Sequence, residues 1–425
     1  MPDHTTNDVI HRFPFPRSPA TRPPCAYARF RADEPVVRVA MPSGDIAYFA
    51  TRYEDARFVL TDPRFSRSAE LAGLKLGDIG IAEHLLLSNL ANMDRPEHTR
   101  LRRLISSAFS DSRVARLRPK IEQATHEHLD RLAGHEPPVD LMEALCRHLP
   151  ATVLLDYLGI PCTDRDRLLE WTGILSDLAG HSQEEVDATR DALHARLKSV
   201  IAARRNDPGD DVLTFLSHRC FEEHKINEFE LEAFAMFLLI GGLHTVVYQL
   251  GLCVVALLGH PSQIAHLVAR PEATDAALEE LLRFTNAVES SLLRTTKEDV
   301  TIAGCPVPAG STVLAAIPSA NHDERHFRDP DALDLRRRPD PAHLTFGYGV
   351  HRCLGAPISR LMLRIILPAL FRRFPSLRLA VPQDELRWKP DRLLTGYDTI
   401  PVTWATAAHT RRTTDHGCPS DPPQR

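Results

Sequence analysis

The longest apolar stretch of the sequence, residues 229–258, limits the possible folds more than any other feature. Asn227 is followed three residues later by Glu230, a capping-box pattern that marks a helix N-terminus, and Gly259 marks the opposite end. At about 1.5 Å per residue, the predicted helix is on the order of 45 Å long, enough to cross a domain. We therefore expect a mainly α fold built around this helix.

The rest of the chain is consistent with one α-rich unit that has a small β region. With 425 residues, of which 43% are hydrophobic, the chain can bury a sizeable core. Residues 36–39 and 46–51 flank a Pro-Ser-Gly-Asp turn and predict a β-hairpin. The Pro-, Thr- and Arg-rich residues 1–25 predict a flexible segment, residues 26–406 the folded domain, and residues 407–425 a disordered tail.

Charge and cysteine usage exclude several classes of protein. A net charge of -5 argues against a nucleic-acid binder, which usually has a basic face. The eight cysteines are scattered and none forms a Cys-x-x-Cys pair, which suits a reducing cytoplasm. The N-terminus has no apolar core of signal-peptide type, and no run of about 18 residues is apolar throughout, so we expect no membrane segment.

The chemistry of the chain is concentrated in residues 343–360, where Gly347, Gly349 and Gly355 surround Cys353. Glycine lets a backbone approach a bulky ligand closely. Pro357 and the apolar spacing after it predict a helix directly behind the cysteine, and a helix N-terminus favours a thiolate. One thiolate cannot build a structural zinc site but is enough for an axial haem ligand. The alternative is a buried free cysteine beside a Gly-rich turn.

The pattern Phe-Gly-x-Gly-x-His-x-Cys-x-Gly in this stretch resembles the signature loop of the cytochrome P450 family. The resemblance implies the cytochrome P450 fold of the soluble bacterial type, with haem b as the cofactor. It makes Cys353 the iron ligand, gives Phe346 the role of shielding the sulfur, and places Gly347 against the cofactor. The loop departs from the usual bacterial pattern only in Ile-Ser-Arg at residues 358–360.

The same resemblance implies the groups that bind the haem propionates. Residues 94–102 match Asp-x-Pro-Glu-His-x-x-x-Arg, which points to His98 and Arg102. A guanidinium pairs bidentately with a carboxylate. By their family positions, Arg294 and His343 are further propionate contacts.

The middle of the long helix, Gly-Gly-Leu-His-Thr at residues 241–245, resembles the oxygen-binding segment of the family. The resemblance implies that Gly241 and Gly242 open the helix over the pocket and that Thr245 hydrogen-bonds dioxygen. Close helix packing is the alternative for the two glycines. His244 replaces the usual carboxylate. It could relay protons, because its unperturbed pKa lies near neutral, or it could turn outward and be structural.

Glu280 and Arg283 lie one helical turn apart and could form an ordinary surface pair. In the family, Glu-x-x-Arg is a buried structural pair, and Arg337 is then the third partner.

The substrate contacts implied by the family positions are Ser290, Ser291 and Tyr397. The two serines are polar where pocket walls are usually apolar, which indicates a substrate with hydrogen-bonding groups, although both could be surface residues. The irregular residues 65–92 are expected to cover the substrate, as in the family.

The implied function is oxidation of a small organic substrate with dioxygen and two electrons from a ferredoxin or flavodoxin system. We expect hydroxylation or other tailoring in bacterial secondary metabolism, in a cytoplasmic monomer. The alternatives are oxidative C–C or C–N coupling or desaturation without oxygen insertion and, in another class, a non-catalytic haem sensor or carrier.

Overall fold

The computed structural model describes residues 9–17, 23–68, 90–176, 180–338, 340, 342–389 and 394–406. Most of the predicted substrate-covering segment, residues 69–89, and the predicted tail, residues 407–425, lie outside this range. Within the described residues, helices α1–α14 are Ala26–Asp33, Tyr53–Thr61, Glu97–Ser106, Asp111–Ala115, Arg118–Ala133, His148–Leu158, Arg165–Ile174, Gln183–Asn206, Val212–Phe221, Glu228–Leu258, Pro261–Ala269, Thr274–Phe284, Ile317–Ala320 and Ala356–Arg373. Strands β1–β11 are Ile10–Arg12, Val36–Ala40, Ile46–Ala50, Phe65–Ser66, Val139–Asp140, Arg294–Thr296, Val300–Ile302, Cys305–Val307, Thr312–Ala315, Arg378–Leu379 and Pro401–Thr403.

The predicted long helix is α10, which spans 31 residues. Its capping box is formed, with the Glu230 amide donating to Asn227 Oδ1 at 2.8 Å and the Asn227 amide donating to Glu230 Oε2 at 3.0 Å. By length and composition alone α10 could cross a membrane, but 72% of its most apolar window is buried inside the protein. Its contacts with α6–α9, α11, α12 and α14 make it the centre of the largest hydrophobic cluster.

The β region lies to one side of the helical core. The main sheet has the strand order β1-β2-β3-β9-β6-β4, and the predicted hairpin is β2 and β3, with Val36 opposite Ala50 and Ala40 opposite Ile46. Two smaller sheets, β10-β11-β5 and β7-β8, complete it. The β6 strand begins at Arg294, so this sheet fixes the position of one predicted cofactor contact.

The prediction of a flexible segment over residues 1–25 is wrong for residues 9–17. There, β1 pairs with β2, and Phe13 and Phe15 pack against Tyr27, Phe30 and Phe49 with ring centroids 5.3–5.9 Å apart. The prediction relied on proline and arginine content and gave no weight to these phenylalanines. Their burial stabilises an ordered segment whatever residues lie between them.

Candidate functional site: the cysteine loop and its surroundings

The loop before α14 is shaped by two glycines with left-handed backbone. Gly347 has φ +68° and Gly349 has φ +74°, and a side chain on Gly349 would lie 3.3 Å from the Leu60 carbonyl oxygen. A residue with a Cβ would therefore be strained at both positions. The amide of Cys353 donates to the Phe346 carbonyl at 2.8 Å, which turns the loop back on itself just before α14.

The sulfur of Cys353 lies three residues before α14. The side chain keeps accessible surface, although burial raises the pKa of its thiol. The amides of Gly355 and Ala356 oppose the effect of burial, and so do the guanidinium groups of Arg102 and Arg360. Burial prevails, so the helix N-terminus alone does not secure the predicted thiolate, whereas a coordinated metal ion would.

Four basic side chains gather beside this loop: His98, Arg102, Arg294 and His351. The His98 and His351 rings are 4.1 Å apart. Burial and the charges of neighbouring basic groups lower the pKa of His98, and they lower the pKa of His351 to about 2. Burial lowers the pKa of Arg294 to about 10. His98 Nε2 and Arg294 Nε are buried without a hydrogen-bond partner. Buried donors without an acceptor are unfavourable, so this cluster is suited to an anion.

A haem fits these residues, because its propionate carboxylates would supply the missing acceptors and its iron would bind the cysteine sulfur. Arg102 links the two features. Its guanidinium donates to the Arg352 carbonyl at 2.6 Å and acts electrostatically on Cys353. Of the predicted propionate contacts, the structure thus brings His98, Arg102 and Arg294 together.

His343 does not join this cluster, so the predicted propionate contact is corrected. Its Nε2 pairs with Glu279 Oε2 at 3.1 Å, and its Nδ1 accepts from the Thr345 amide at 3.2 Å. Glu279 also binds Arg360 at 2.6 and 2.8 Å. A carboxylate already holds this histidine, which links α12 to the cysteine loop. The Arg360 guanidinium also stacks over Phe346 at 4.5 Å, so the two residues pack together next to the cysteine.

Two basic residues were missed in the sequence: His351 of the basic cluster, and Arg67, which lies next to Arg294. His351 occupies a fixed position of the signature pattern, which was a usable signal. Arg67 had none. Its guanidinium donates to Leu293 and Ala91 carbonyls and to Asn92, while burial and Arg294 lower its pKa to about 9.

Glu280, Arg283 and Arg337 lie together as one buried network. Arg283 donates to both carboxylate oxygens of Glu280, at 2.7 and 2.9 Å, and Arg337 lies 3.0 Å from the same carboxylate. The side chains of Glu280 and Arg283 are 1% and 2% exposed, which excludes an ordinary surface pair. Arg283 also donates to the carbonyls of Asn321 and Pro330 at 2.9 Å. The network therefore fastens α12 to the segment that precedes the cysteine loop.

The two glycines in the middle of α10 have different surroundings. A Cβ on Gly241 would meet nothing within 4 Å, whereas one on Gly242 would lie 2.7 Å from Leu154 of α6. Gly242 is thus a close-packing residue, and Gly241 borders open space. The Thr245 hydroxyl donates to the Gly241 carbonyl at 3.0 Å.

His244 turns toward α7. Its Nε2 lies 3.0 Å from the Leu169 carbonyl and 3.1 Å from Thr172 Oγ1. A carbonyl oxygen only accepts, so Nε2 carries the proton. In this orientation His244 joins α10 to α7, which is the structural role left open by the sequence.

The predicted substrate residues are not all at an open surface. Ser291 pairs with Ala315, its amide donating to the carbonyl at 2.8 Å and its hydroxyl accepting from the amide at 2.9 Å. Ser290 is 1% exposed. Tyr397 is also 1% exposed, and it lines a small cavity described below. Its assignment to the substrate pocket is therefore corrected. Leu292, which was not predicted, is 46% exposed.

The basic cluster, the cysteine before a helix and the open position on a long helix define a haem-thiolate site. The chain matches the Cytochrome P450 family model over residues 268–396. It is 37% identical to mycinamicin IV hydroxylase/epoxidase of Micromonospora griseorubida, covering 89% of this chain and 94% of that protein. It is 38% identical to nocardicin C N-oxygenase of Nocardia uniformis subsp. tsuyamanensis, with the same coverage.

Among solved structures, the putative thioether synthase SgvP, involved in the tailoring step of griseoviridin, superimposes with a TM-score of 0.88 at 39% identity. The match covers 93% of this chain and all of that one. The chain belongs to the cytochrome P450 family, as the sequence resemblance predicted. It is accordingly a mainly α enzyme of the haem-thiolate class that uses dioxygen.

Proposed function

We propose that this enzyme is a monooxygenase that binds haem b through Cys353 and oxidises a small organic molecule in bacterial secondary metabolism. The observation that carries the proposal is that one cysteine sulfur lies beside a buried basic cluster whose hydrogen-bond donors lack partners. This arrangement supplies what a porphyrin with two propionates needs.

When bound, haem supplies the difficult oxygen chemistry, and the protein supplies orientation and electrostatics. Cys353 is held by the hydrogen bond from its amide to the Phe346 carbonyl and by the amides of Gly355 and Ala356, which face the sulfur. His98 and Arg294 fix the carboxylate side of the cofactor. Gly241 keeps space clear next to α10, and the Thr245 hydroxyl lies 3.0 Å from the Gly241 carbonyl. A rotation of that hydroxyl would present its proton to a ligand in this space.

The substrate is proposed by analogy with the relatives. Their names describe hydroxylation, epoxidation and N-oxygenation of natural products such as mycinamicin IV and nocardicin C. Leu292 is exposed two residues before Arg294, and we assign it to the pocket wall next to the cofactor. A substrate with a largely apolar surface suits this wall.

Carbon monoxide binding tests the assignment of the ligand. The ferrous carbon monoxide complex of the wild type should show the strongly red-shifted Soret band of thiolate ligation, and Cys353→Ala should lose it. The exposed Cys162 is a matched control, and Cys162→Ala should keep the band. A red-shifted band that survives in Cys353→Ala would disprove the proposal.

Oxidative coupling or desaturation is the second candidate, favoured by the likeness to a chain described as a putative thioether synthase. Turnover under isotopically labelled dioxygen separates the two reactions. One labelled oxygen atom in each product molecule would establish monooxygenation. An unlabelled product lighter by two hydrogen atoms would establish coupling or desaturation instead.

A ferredoxin is the proposed electron donor, binding at the face that carries Arg103 and Arg352. Both side chains are exposed, whereas the guanidinium of Arg100 is paired with Glu97 and Glu230. Exposed charges mainly steer association and are screened over about 8 Å at physiological salt. Reduction should slow as salt rises, and more steeply in the wild type than in Arg103→Glu. Identical salt dependence in both proteins would exclude this face.

We further propose that the protein is cytoplasmic and monomeric. Sedimentation of the purified protein would test whether it is a monomer.

A further inference from the structure

A small cavity of about 20 Å³ lies between the C-terminal half of α10, the segment after α12 and the turn that carries Tyr397. Leu252 and Ala256 of α10 form part of its wall, and Asn286, His322 and Tyr397 line it as well. Arg17 also lines the cavity, and its guanidinium is paired with the Glu289 carboxylate at 2.7 Å. The cavity is too small for an organic substrate. None of these residues belongs to the basic cluster beside the cysteine loop.

Three buried polar atoms of these residues have no partner: Asn286 Nδ2, His322 Nε2 and Tyr397 Oη. The three side chains are 6%, 3% and 1% exposed. An unsatisfied polar group at such a depth costs about 1–3 kcal/mol. Three of them around one cavity indicate that something in the cavity satisfies them.

The neighbouring bonds fix what each atom can do. The other ring nitrogen of His322, Nδ1, lies 2.9 Å from the Pro318 carbonyl, which only accepts, so Nδ1 carries the proton and Nε2 is an acceptor. Asn286 Oδ1 accepts from the Val288 amide at 3.1 Å, which orients Nδ2 as the remaining donor. The Tyr397 hydroxyl can do either.

We propose that this cavity binds one internal water molecule. The water accepts a hydrogen bond from Asn286 Nδ2, donates one to His322 Nε2, and exchanges one with Tyr397 Oη. A cavity needs about 10–15 Å³ to hold a water, and buried waters typically make about three hydrogen bonds, so both the space and the partners match. A metal ion does not suit these groups, since Nε2 of His322 is the one unprotonated nitrogen that they offer.

This water joins three segments that are distant in sequence. Tyr397 lies in the turn whose Thr395 amide donates to the Ala287 carbonyl at 2.8 Å. In the same turn, a side chain on Gly396 would lie 2.6 Å from the Tyr248 ring of α10, so the turn already packs against the long helix. The water completes this attachment. It therefore fixes the position of the last turn of the chain relative to α10 and α12.

A crystal structure of the haem-loaded protein at high resolution tests the proposal directly. We expect one ordered water within hydrogen-bonding distance of all three atoms, and a lower occupancy in Tyr397→Phe. Absence of density in the wild type, or direct bonds between the three groups, would overturn the proposal.

Thermal unfolding of Ala256→Val gives an independent test by its sign. The added methyl groups enter the cavity. If they fill a dry cavity, the unfolding temperature rises, whereas expelling a bound water leaves three unpaired groups and the temperature falls. We expect a fall, and a crystal structure of the variant without the water. The exposed Ala195 of α8 supplies the control for valine in a helix, because Ala195→Val changes helix propensity alone. A rise in Ala256→Val relative to Ala195→Val would refute the bound water.

Discussion

The cysteine side of the site and the middle of α10 are built in opposite ways. On the cysteine side, charged groups from distant segments pair with one another in buried or partly buried positions, as in Glu280 with Arg337 and Glu279 with Arg360. On the α10 side, Thr245 bonds within its own helix and Gly241 borders open space. His244 is the residue of this segment that reaches another helix.

This difference suits the different demands of the two sides. A metal ligand has to keep one position, and buried charge networks hold it there because any displacement leaves a charge unpaired. A substrate side has to admit different molecules, and local bonding leaves the space free. Substitutions on the cysteine side should therefore have large effects on stability and cofactor binding, and substitutions on the α10 side small ones.

The largest effect is expected at Glu280. Glu280→Gln removes the charge that Arg283 and Arg337 share and leaves buried guanidinium groups uncompensated, which costs about 3–5 kcal/mol in the free energy of unfolding. Urea unfolding followed by circular dichroism measures this loss. Glu272→Gln, at an exposed position just before α12, should change the free energy by less than about 0.5 kcal/mol. Equal losses in the two variants would show that the buried network does not support the cysteine side.

Cofactor retention should respond next, through Arg294. Arg294→Gln removes a buried charge-assisted donor to the cofactor carboxylates, a bond worth about 1.5–3 kcal/mol. Haem transfer to an excess of apomyoglobin should therefore be faster by roughly 10- to 100-fold. Arg336→Gln, whose side chain is 68% exposed, is the matched control and should release haem at the wild-type rate. An unchanged rate in Arg294→Gln would remove this arginine from the cofactor site.

Acid sensitivity should come in part from His322, which lies away from both sides. Burial, aided by the charge of Arg283, lowers its pKa to about 3 from an ordinary value near 6.5. Between these two pH values, His322 binds a proton in the unfolded chain but not in the folded protein. The stability that neutral His322 contributes is therefore complete above about pH 6.5 and is lost as the pH falls. From pH 6.5 to pH 5 the loss due to this group is about 2 kcal/mol, since one pKa unit corresponds to about 1.4 kcal/mol.

The comparison of His322→Gln with the wild type isolates this contribution. The variant should lose less stability between pH 6.5 and pH 5, while His126→Gln, at an exposed position, should follow the wild type. Parallel acid profiles of His322→Gln and the wild type would contradict the lowered pKa.

Local features of both sides could be predicted from the sequence, whereas contacts between distant residues could not. The long helix, its cap and the cysteine before α14 follow from local patterns, because capping residues, glycines and apolar spacing act within a few positions. His343 was misassigned because its partner, Glu279, lies 64 residues away, and no local signal reveals that pairing. Tyr397 was misassigned because its family position indicates which turn it occupies but not which way its ring points.

His244 gives the smallest expected effect, and it is the test of the α10 side. Its Nε2–H donates to the Leu169 carbonyl, so His244→Gln, whose amide offers a donor on a shorter side chain, should lower the free energy of unfolding by about 1 kcal/mol or less. If the residue only joins α10 to α7, electron consumption per product molecule stays at the wild-type value in both His244→Gln and His244→Asp. If it relays protons, His244→Gln should waste electrons on peroxide, while His244→Asp, which restores the usual carboxylate, should not. The structure favours the first outcome, because the protonated nitrogen is already committed to a carbonyl that cannot return a proton.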